Sequence, residues 1–326
     1  MSTKSRSLTK TLAFKGIGKN EFETAYPPER MGNTANIAYG GYALATAAKA
    51  AALSVPQGYH LYSIMGNYLG PALTDRPLRS SVRTIRQTRT FATRQVEVSQ
   101  KQDDGSIRAC LIALADFQVA EPAMLEFSIP PSKAYSGPEG LQALPAHRKH
   151  LVDTGKISQQ LADMHSKSFG VSEGLYETRP CPEGIFYSNL TGLAKTLPTP
   201  QDSLPITEKS TADWLRSLFP LPSLVDNVAN LAFVMDGAVS FAPLSFSKMF
   251  LDDAGACSSL DFALRLFKRD IKMEEWHLKE WTTKVGAEGR TFSEARLWDK
   301  EGNCVACMSQ QSILRPKKDG KKGLKL

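Results

Sequence analysis

The chain has 326 residues, 42% of them hydrophobic, a formal net charge of +7 and five cysteines. That length supports one large or two medium domains with real cores, and no apolar run of about eighteen residues occurs, so nothing is expected to span a membrane. The odd, widely spaced cysteines argue against a secreted disulfide framework and for a reducing compartment. The modest basic excess reads as ordinary surface charge, with no nucleic-acid partner implied.

The first twenty residues are basic, rich in Ser and Thr and free of acid, as in a transit peptide. Leu12, Phe14, Ile17 and Phe22 instead predict a first strand with a bulge or turn at Gly16 to Gly18. Ala38 to Leu53 is an Ala-rich stretch with no polar face, the pattern of a buried helix. A strand-like piece from His60 to Leu69 follows. Next comes a hairpin: Thr90 to Ser99 alternates, Asp103-Asp104-Gly105 turns, and Ile107 to Phe117 returns.

From about Glu121 to Ser210 the sequence is full of Pro, Ser, Gly and Thr and reads as linker or loop. Within it, S-E-G-L-Y-E-T-R-P and G-I-F-Y-S-N-L predict an edge strand or two. Trp214 to Phe219 predicts a short helical lead. Leu224 to Phe241 then reads as one helix, apolar nearly all round, with a lone carboxylate, Asp236, deep inside it. Asp226 sits in its first turn, where the macrodipole favours an acid; Asp236 lies too far along for that, so it needs partners or a task. Ala256 to Phe267 is strand-like. A second hairpin opens at Arg290-Thr291-Phe292, turns at Lys300-Glu301-Gly302 and returns from Cys304 to Leu314.

The two halves repeat each other. Both hairpins open on R-T-F and return through A-C, and Y-G-G-Y-A-L-A from Tyr39 can be laid on V-M-D-G-A-V-S from Val234. Each half is one helix followed by several antiparallel strands. A curved antiparallel sheet wrapping a wholly buried helix satisfies that order and makes the fold α+β. The boundaries drawn from it are a first unit at 1–125, a linker at 126–210, a second unit with the working site at 211–316 and a basic tail at 317–326. In the superposed halves Asp236 falls opposite Gly41, Gln310 opposite Ala113 and Ser259 opposite Ser63, so the polar equipment is concentrated in the second copy.

At these residues the chain resembles the acyl-CoA thioesterase II family. The matching pieces are A-F-V-M-D-G with Asp236, S-S-L-D-F with Ser259, and V-A-C-M-S-Q-Q-S-I-L-R with Gln310; A-Y-G-G-Y-A-L-A resembles the family's first helix. The resemblance implies a double hotdog, two antiparallel sheets each wrapping a long buried helix, in which a helix Asp, a strand Ser or Thr and a strand Gln hold and activate a water. It implies a hydrolase needing no cofactor or metal, acting on acyl-CoA or a carrier-bound acyl thioester, with a homo-oligomer allowed. The chain departs from the family where relatives carry H-S-F-H followed by R-P-G: here Y-S-I-M-G-N-Y-L-G-P displaces His60, and Met65 and Gly70 stand where polar residues are expected.

The chemistry is coherent without the family. A thioester's leaving thiol ionises near pKa ~8.5, so a strong general acid is dispensable, and what is needed is a base with a positioned water. Asp236 is the candidate base, Gln310 and Ser259 the candidate orienting groups, and backbone amides near Gly237, Gly40 and Gly41 the candidate oxyanion donors. The alternatives are a double hotdog that binds acyl chains without hydrolysing them, or a thioesterase releasing a polyketide-type product within a biosynthetic pathway rather than serving fatty-acid metabolism.

Competing motifs read as ordinary structure. Gly170-Val171-Ser172-Glu173-Gly174 is a formal G-x-S-x-G, but the polar residues before it do not predict the buried strand that a nucleophile elbow requires, and a Gly-Ser loop is expected. His147 and His150 read as a solvated basic surface, Cys304 and Cys307 as strand residues, and Trp276 and Trp281 as core packing. The final L-K-L resembles a peroxisomal S-K-L signal, which leaves peroxisome and cytoplasm as the expected locations.

Overall fold

The computed structural model describes residues 6–32 and 35–317; the L-K-L ending lies outside the described residues. The front half contributes β1 (Phe14–Gly18), β2 (Glu21–Thr24), helix α1 (Gly40–Leu53), β3 (Tyr59–Tyr68), β4 (Arg79–Gln87), β5 (Phe91–Lys101) and β6 (Ile107–Val119). The middle holds helices α2 (Leu144–Asp153) and α3 (Gln159–Leu175) and strand β7 (Tyr176–Pro180). The rear half contributes β8 (Ser210–Ser217), helix α4 (Leu224–Met235), β9 (Ala254–Ser259), β10 (Asp261–Leu266), β11 (His277–Ala287), β12 (Arg290–Trp298) and β13 (Cys304–Pro316).

The strands run in the order β1-β2-β4-β5-β6-β3-β10-β13-β12-β11-β8-β7, with β9 paired to β13. The tandem organisation is visible in that order, because β4-β5-β6-β3 is mirrored by β10-β13-β12-β11. The two sheets meet edge to edge: β3 and β10 pair antiparallel, with Gly66 against Phe262. The offset that lays Ser63 on Ser259 also lays Gly66 on Phe262, so the pseudo-twofold axis passes through that pair. The β3 and β10 edges thereby cover each other, while the opposite edges, β4 and β11, are covered by β2 and β8.

Helices α1 and α4 lie antiparallel inside the sheet. At one end the Lys49 ammonium meets Asp226 at 3.2 Å, and Ser223 caps α4 by accepting from the Asp226 amide. At the other end the first turn of α1 comes against the last turn of α4. Gly41 permits that approach: a Cβ there would stand 2.4 Å from the Tyr39 ring and 2.7 Å from the Phe233 carbonyl oxygen. Gly41→Ala is therefore expected to destabilise the fold by about 1–3 kcal/mol through overpacking, read as a lowered thermal midpoint.

Four local expectations are corrected. The helix read as Leu224 to Phe241 ends at Met235. Asp236 is its C-cap rather than an interior residue, Ala238 adopts φ +68, and a separate short helix spans Ala242–Phe246 with Pro243 in its first turn. Trp214 does not lead into a helix but lies in β8, whose short apolar run is compatible with either state until β11 and β7 pair with it. The middle segment is not mainly loop, since α2 and α3 pack through Leu151 and Ala162, with Ile157 of the connecting turn between them. Finally, G-I-F-Y-S-N-L forms a helical turn, Ile185–Asn189, while Tyr176–Pro180 is the edge strand expected there.

Candidate active site

Asp236, Gln310 and Ser259 converge. Alternation along β13 turns Gln310 inward, and β9 pairs with β13 so that Ser259 sits opposite Ser312, one diagonal step from Gln310 on the same face. The Ser259 hydroxyl donates to Gln310 Oε1 at 3.1 Å, and Gln310 Nε2 donates to Asp236 Oδ1 at 2.6 Å. Asp236 and Gln310 are buried and Ser259 is half-buried, so the array is graded from core to surface.

Antiparallel packing of the helices gives Asp236 its setting. It stands at the C-terminal end of its own helix, where the dipole disfavours an anion, but beside the N-terminal turn of α1, where the dipole favours one. Gly40 and Gly41 form that turn, and a Cβ on Gly40 would lie 3.1 Å from Asp236 Oδ2. Burial pushes the Asp236 carboxyl above its ordinary value. The Tyr68 and Gln310 donors, the Lys279 ammonium and the Gly41 amide hold it down. The Gly237 amide is spent within the turn, donating to the Val234 carbonyl at 3.1 Å.

Sequence reasoning missed three neighbours. Tyr68, at the end of β3, donates its phenol proton to Asp236 Oδ1 at 2.8 Å. Lys279 and Trp281, on the inward face of β11, close the end of α4: the Lys279 ammonium donates to the carbonyls of Met235 at 3.2 Å and Gly237 at 3.0 Å and also to that of Val234, and Trp281 Nε1 donates to the Gly237 carbonyl at 2.7 Å. Two-residue alternation was the available signal. It puts Ile64, Gly66 and Tyr68 on one face, and Lys279 with Trp281 on another, although W-H-L-K-E-W reads more readily as a charged run. Trp281 belongs to the core as expected, and Trp276 packs half-buried against a smaller core cluster with the Arg179 and Arg216 guanidiniums 4.8 and 4.6 Å from its ring centroid.

The competing motifs form no second catalytic array. Ser172 lies within α3 rather than in a loop or elbow, and Asp261 and His277, which follow it in the chain order of a hydrolase triad, bond elsewhere: His277 to the Glu275 carbonyl, and Asp261 accepting from the Gln311 amide. His147 is buried, contrary to expectation, stacked on Tyr187 and bonded to its carbonyl at 2.8 Å. Glu173, His165 and Thr191 imitate a triad, with His165 Nε2 3.3 Å from the Thr191 hydroxyl. Arg148, however, donates to His165 Nδ1 at 3.1 Å; with Nδ1 accepting, Nε2 carries the proton and gives it to Thr191, so the imidazole cannot act as that hydroxyl's base. Among the described residues no group of three or more His, Cys, Asp or Glu is placed to hold a metal, and no helix is long and apolar enough to cross a membrane.

Two hotdog units sharing one sheet around a pair of antiparallel helices define a thioesterase-type double hotdog. A family model described as the acyl-CoA thioesterase N-terminal domain matches residues 27–118, and one described as the acyl-CoA thioesterase C-terminal domain matches residues 176–314. The chain belongs to the acyl-CoA thioesterase II family, a family of hydrolases. It is 22% identical over 277 residues to acyl-CoA thioesterase 2 of Haemophilus influenzae, a match covering 85% of this chain and 87% of that protein. Its fold is similar to that of acyl-CoA thioesterase II TesB2 from Mycobacterium marinum, with a TM-score of 0.67, 18% identity and coverage of 96% of this chain and 99% of that one. The tesB protein of Mycobacterium avium subspecies paratuberculosis is similar to the same degree, with a TM-score of 0.67 at 17% identity, covering 94% of this chain and 97% of that one.

Proposed function

We propose that this protein hydrolyses acyl-CoA, or an acyl thioester on a related carrier, by attack of a water that Asp236 deprotonates. The observation that carries the reading is the continuous chain of hydrogen bonds from Ser259 through Gln310 to a buried Asp236 lodged against the N-terminal turn of α1. Both ingredients of general-base catalysis are supplied: a carboxylate whose burial strengthens it as a base, and neighbouring donors that keep it ionised and oriented. Proton transfer from water to Asp236 accompanies formation of the tetrahedral oxyanion, which collapses by expelling the thiolate. Because that thiolate is a good leaving group, Asp236 need not return its proton as a strong acid would.

Ser259 works one step back, holding the Gln310 amide so that its nitrogen faces Asp236. Ser259→Ala is expected to lower kcat about five- to tenfold, the rate equivalent of one neutral hydrogen bond, while Ser259→Thr, which keeps the hydroxyl, is expected to retain the rate.

The test of the function is steady-state release of free thiol from a panel of acyl-CoA esters of increasing chain length. Turnover with a chain-length preference supports the reading and names the substrate class. Saturable binding without thiol release would replace it with the acyl-binding alternative.

A further inference from the structure

Asp236 Oδ1 receives two hydrogen bonds that come from different halves of the chain. Gln310 reaches it from β13 of the rear unit at 2.6 Å, and Tyr68 reaches it from β3 of the front unit at 2.8 Å, across the β3–β10 seam. A tyrosine at the end of β3 could have satisfied its hydroxyl elsewhere, as Tyr39 does by donating to the Phe233 carbonyl at 2.7 Å. The register of the seam instead aims it at the carboxylate: Asn67 pairs with Asp261, and the Tyr68 amide bonds to the Leu260 carbonyl, next to Ser259. The Tyr68 ring is also braced against Phe262, with centroids 5.4 Å apart, so the phenol has little freedom to turn away.

We propose that Tyr68 is a positioning residue for Asp236: together with Gln310 it occupies Oδ1 completely, so that Oδ2, over Gly40, is the oxygen that takes the proton of the attacking water. This rests on the reading of Asp236 as the base. It gives the front unit, which lacks an acid of its own at the matching position, a defined part in the reaction. With the Gly41 amide also bonded to the carboxylate, Oδ2 keeps one lone-pair direction for the water, whereas a carboxylate with both oxygens open can bind it unproductively. The phenol stays neutral throughout, since burial and the adjacent carboxylate push its ionisation well above the ordinary tyrosine value.

The groups around the carboxylate make the effect separable. From β11 it is faced by the Lys279 ammonium, from α1 by the Gly41 amide, from β13 by the uncharged Gln310 amide, and from the segment before α1 by the neutral Tyr39 phenol. Removing the Tyr68 hydroxyl deletes one donor to the ionised form and leaves these in place. The ionised form is then less favoured, and the carboxyl ionises at higher pH.

The experiment is the pH profile of kcat and kcat/KM for Tyr68→Phe on one acyl-CoA substrate, with thermal melting as the check on folding. The acidic limb of the profile is expected to move up by about one pH unit, with kcat lowered about tenfold and KM within about twofold. A variant carrying 3-fluorotyrosine at position 68, whose phenol is a stronger donor, is expected to move the same limb downward, and it decides the matter if the phenylalanine variant does not fold. An unmoved limb in a folded Tyr68→Phe, with Asp236→Asn inactive, overturns the role of Tyr68 alone. An active Asp236→Asn overturns the reading of Asp236 on which it rests.

Discussion

Asp236→Asn is expected to lower kcat for acyl-CoA hydrolysis by about 10²- to 10⁴-fold, the usual worth of general-base assistance, with little change in KM. The substitution keeps size and shape, and its amide oxygen can still accept from Gln310 and Tyr68, so what is lost is the ability to take a proton. The stability sign runs the other way. Burial raises the carboxyl above its ordinary value, so the folded state favours the protonated form. Stability from this group is fully present below the unfolded pKa and is lost as pH rises through the folded one, leaving a net cost at neutral pH. The asparagine variant is therefore expected to melt no lower than the parent at pH 7, and a variant that is both inactive and clearly less stable would point to a structural role for the carboxylate. For the parent, kcat/KM is expected to rise with pH through the Asp236 ionisation, at a pH above the ordinary aspartate range.

Lys279→Met is expected to cost about 1–3 kcal/mol of stability and most of the activity, measured by denaturant unfolding and by thiol release. The lysine is fully buried, and its ammonium gathers the Val234, Met235 and Gly237 carbonyls at the end of α4, the turn that carries Asp236. Methionine fills the same volume but donates nothing. Trp281 still serves Gly237 and the Gly237 amide still serves Val234, but the Met235 carbonyl loses its donor, at about 1–3 kcal/mol for an acceptor left unsatisfied. Burial pulls the lysine down to about 7, while Asp236 and Asp213 oppose that shift. Because the folded value lies below the unfolded one, the charging penalty is fully felt below about pH 7 and is relieved as pH climbs toward 10.5, so the parent gains stability across that window. The methionine variant is expected to lose that gain, and an identical pH dependence in both proteins would show that Lys279 is not the group responsible.

The two largest effects fall on residues that differ in how far the sequence announces them. Asp236 is conspicuous as a carboxylate in an apolar stretch, and Gln310 and Ser259 follow once the halves are superposed. Lys279 is hidden in a charged-looking run, and Tyr68 lies in the strand where the chain departs from its family's pattern. For both of these the partner is remote: 168 residues separate Tyr68 from Asp236, and 45 separate Lys279 from Val234. No local periodicity encodes such a pairing.

What the amino-acid sequence determined by itself is the tandem plan: two hairpins with matching turns at Asp104-Gly105 and Glu301-Gly302, two helices with no polar face, and a rear copy holding the acid, the amide and the hydroxyl. Those features are local, because side-chain alternation and turn chemistry act between residues a few positions apart. Tertiary structure alone decided where α4 stops, since donors on β11 gather its final carbonyls. It likewise decided that Trp214 extends the sheet, since a short apolar run takes its state from its neighbours. The seam between β3 and β10 brings a front-half tyrosine onto a rear-half carboxylate, and the antiparallel pairing of α1 and α4 sets Asp236 beside the positive end of a helix other than its own. Each of these depends on free energy shared between segments distant in the chain, which becomes available only when the two copies fold against one another.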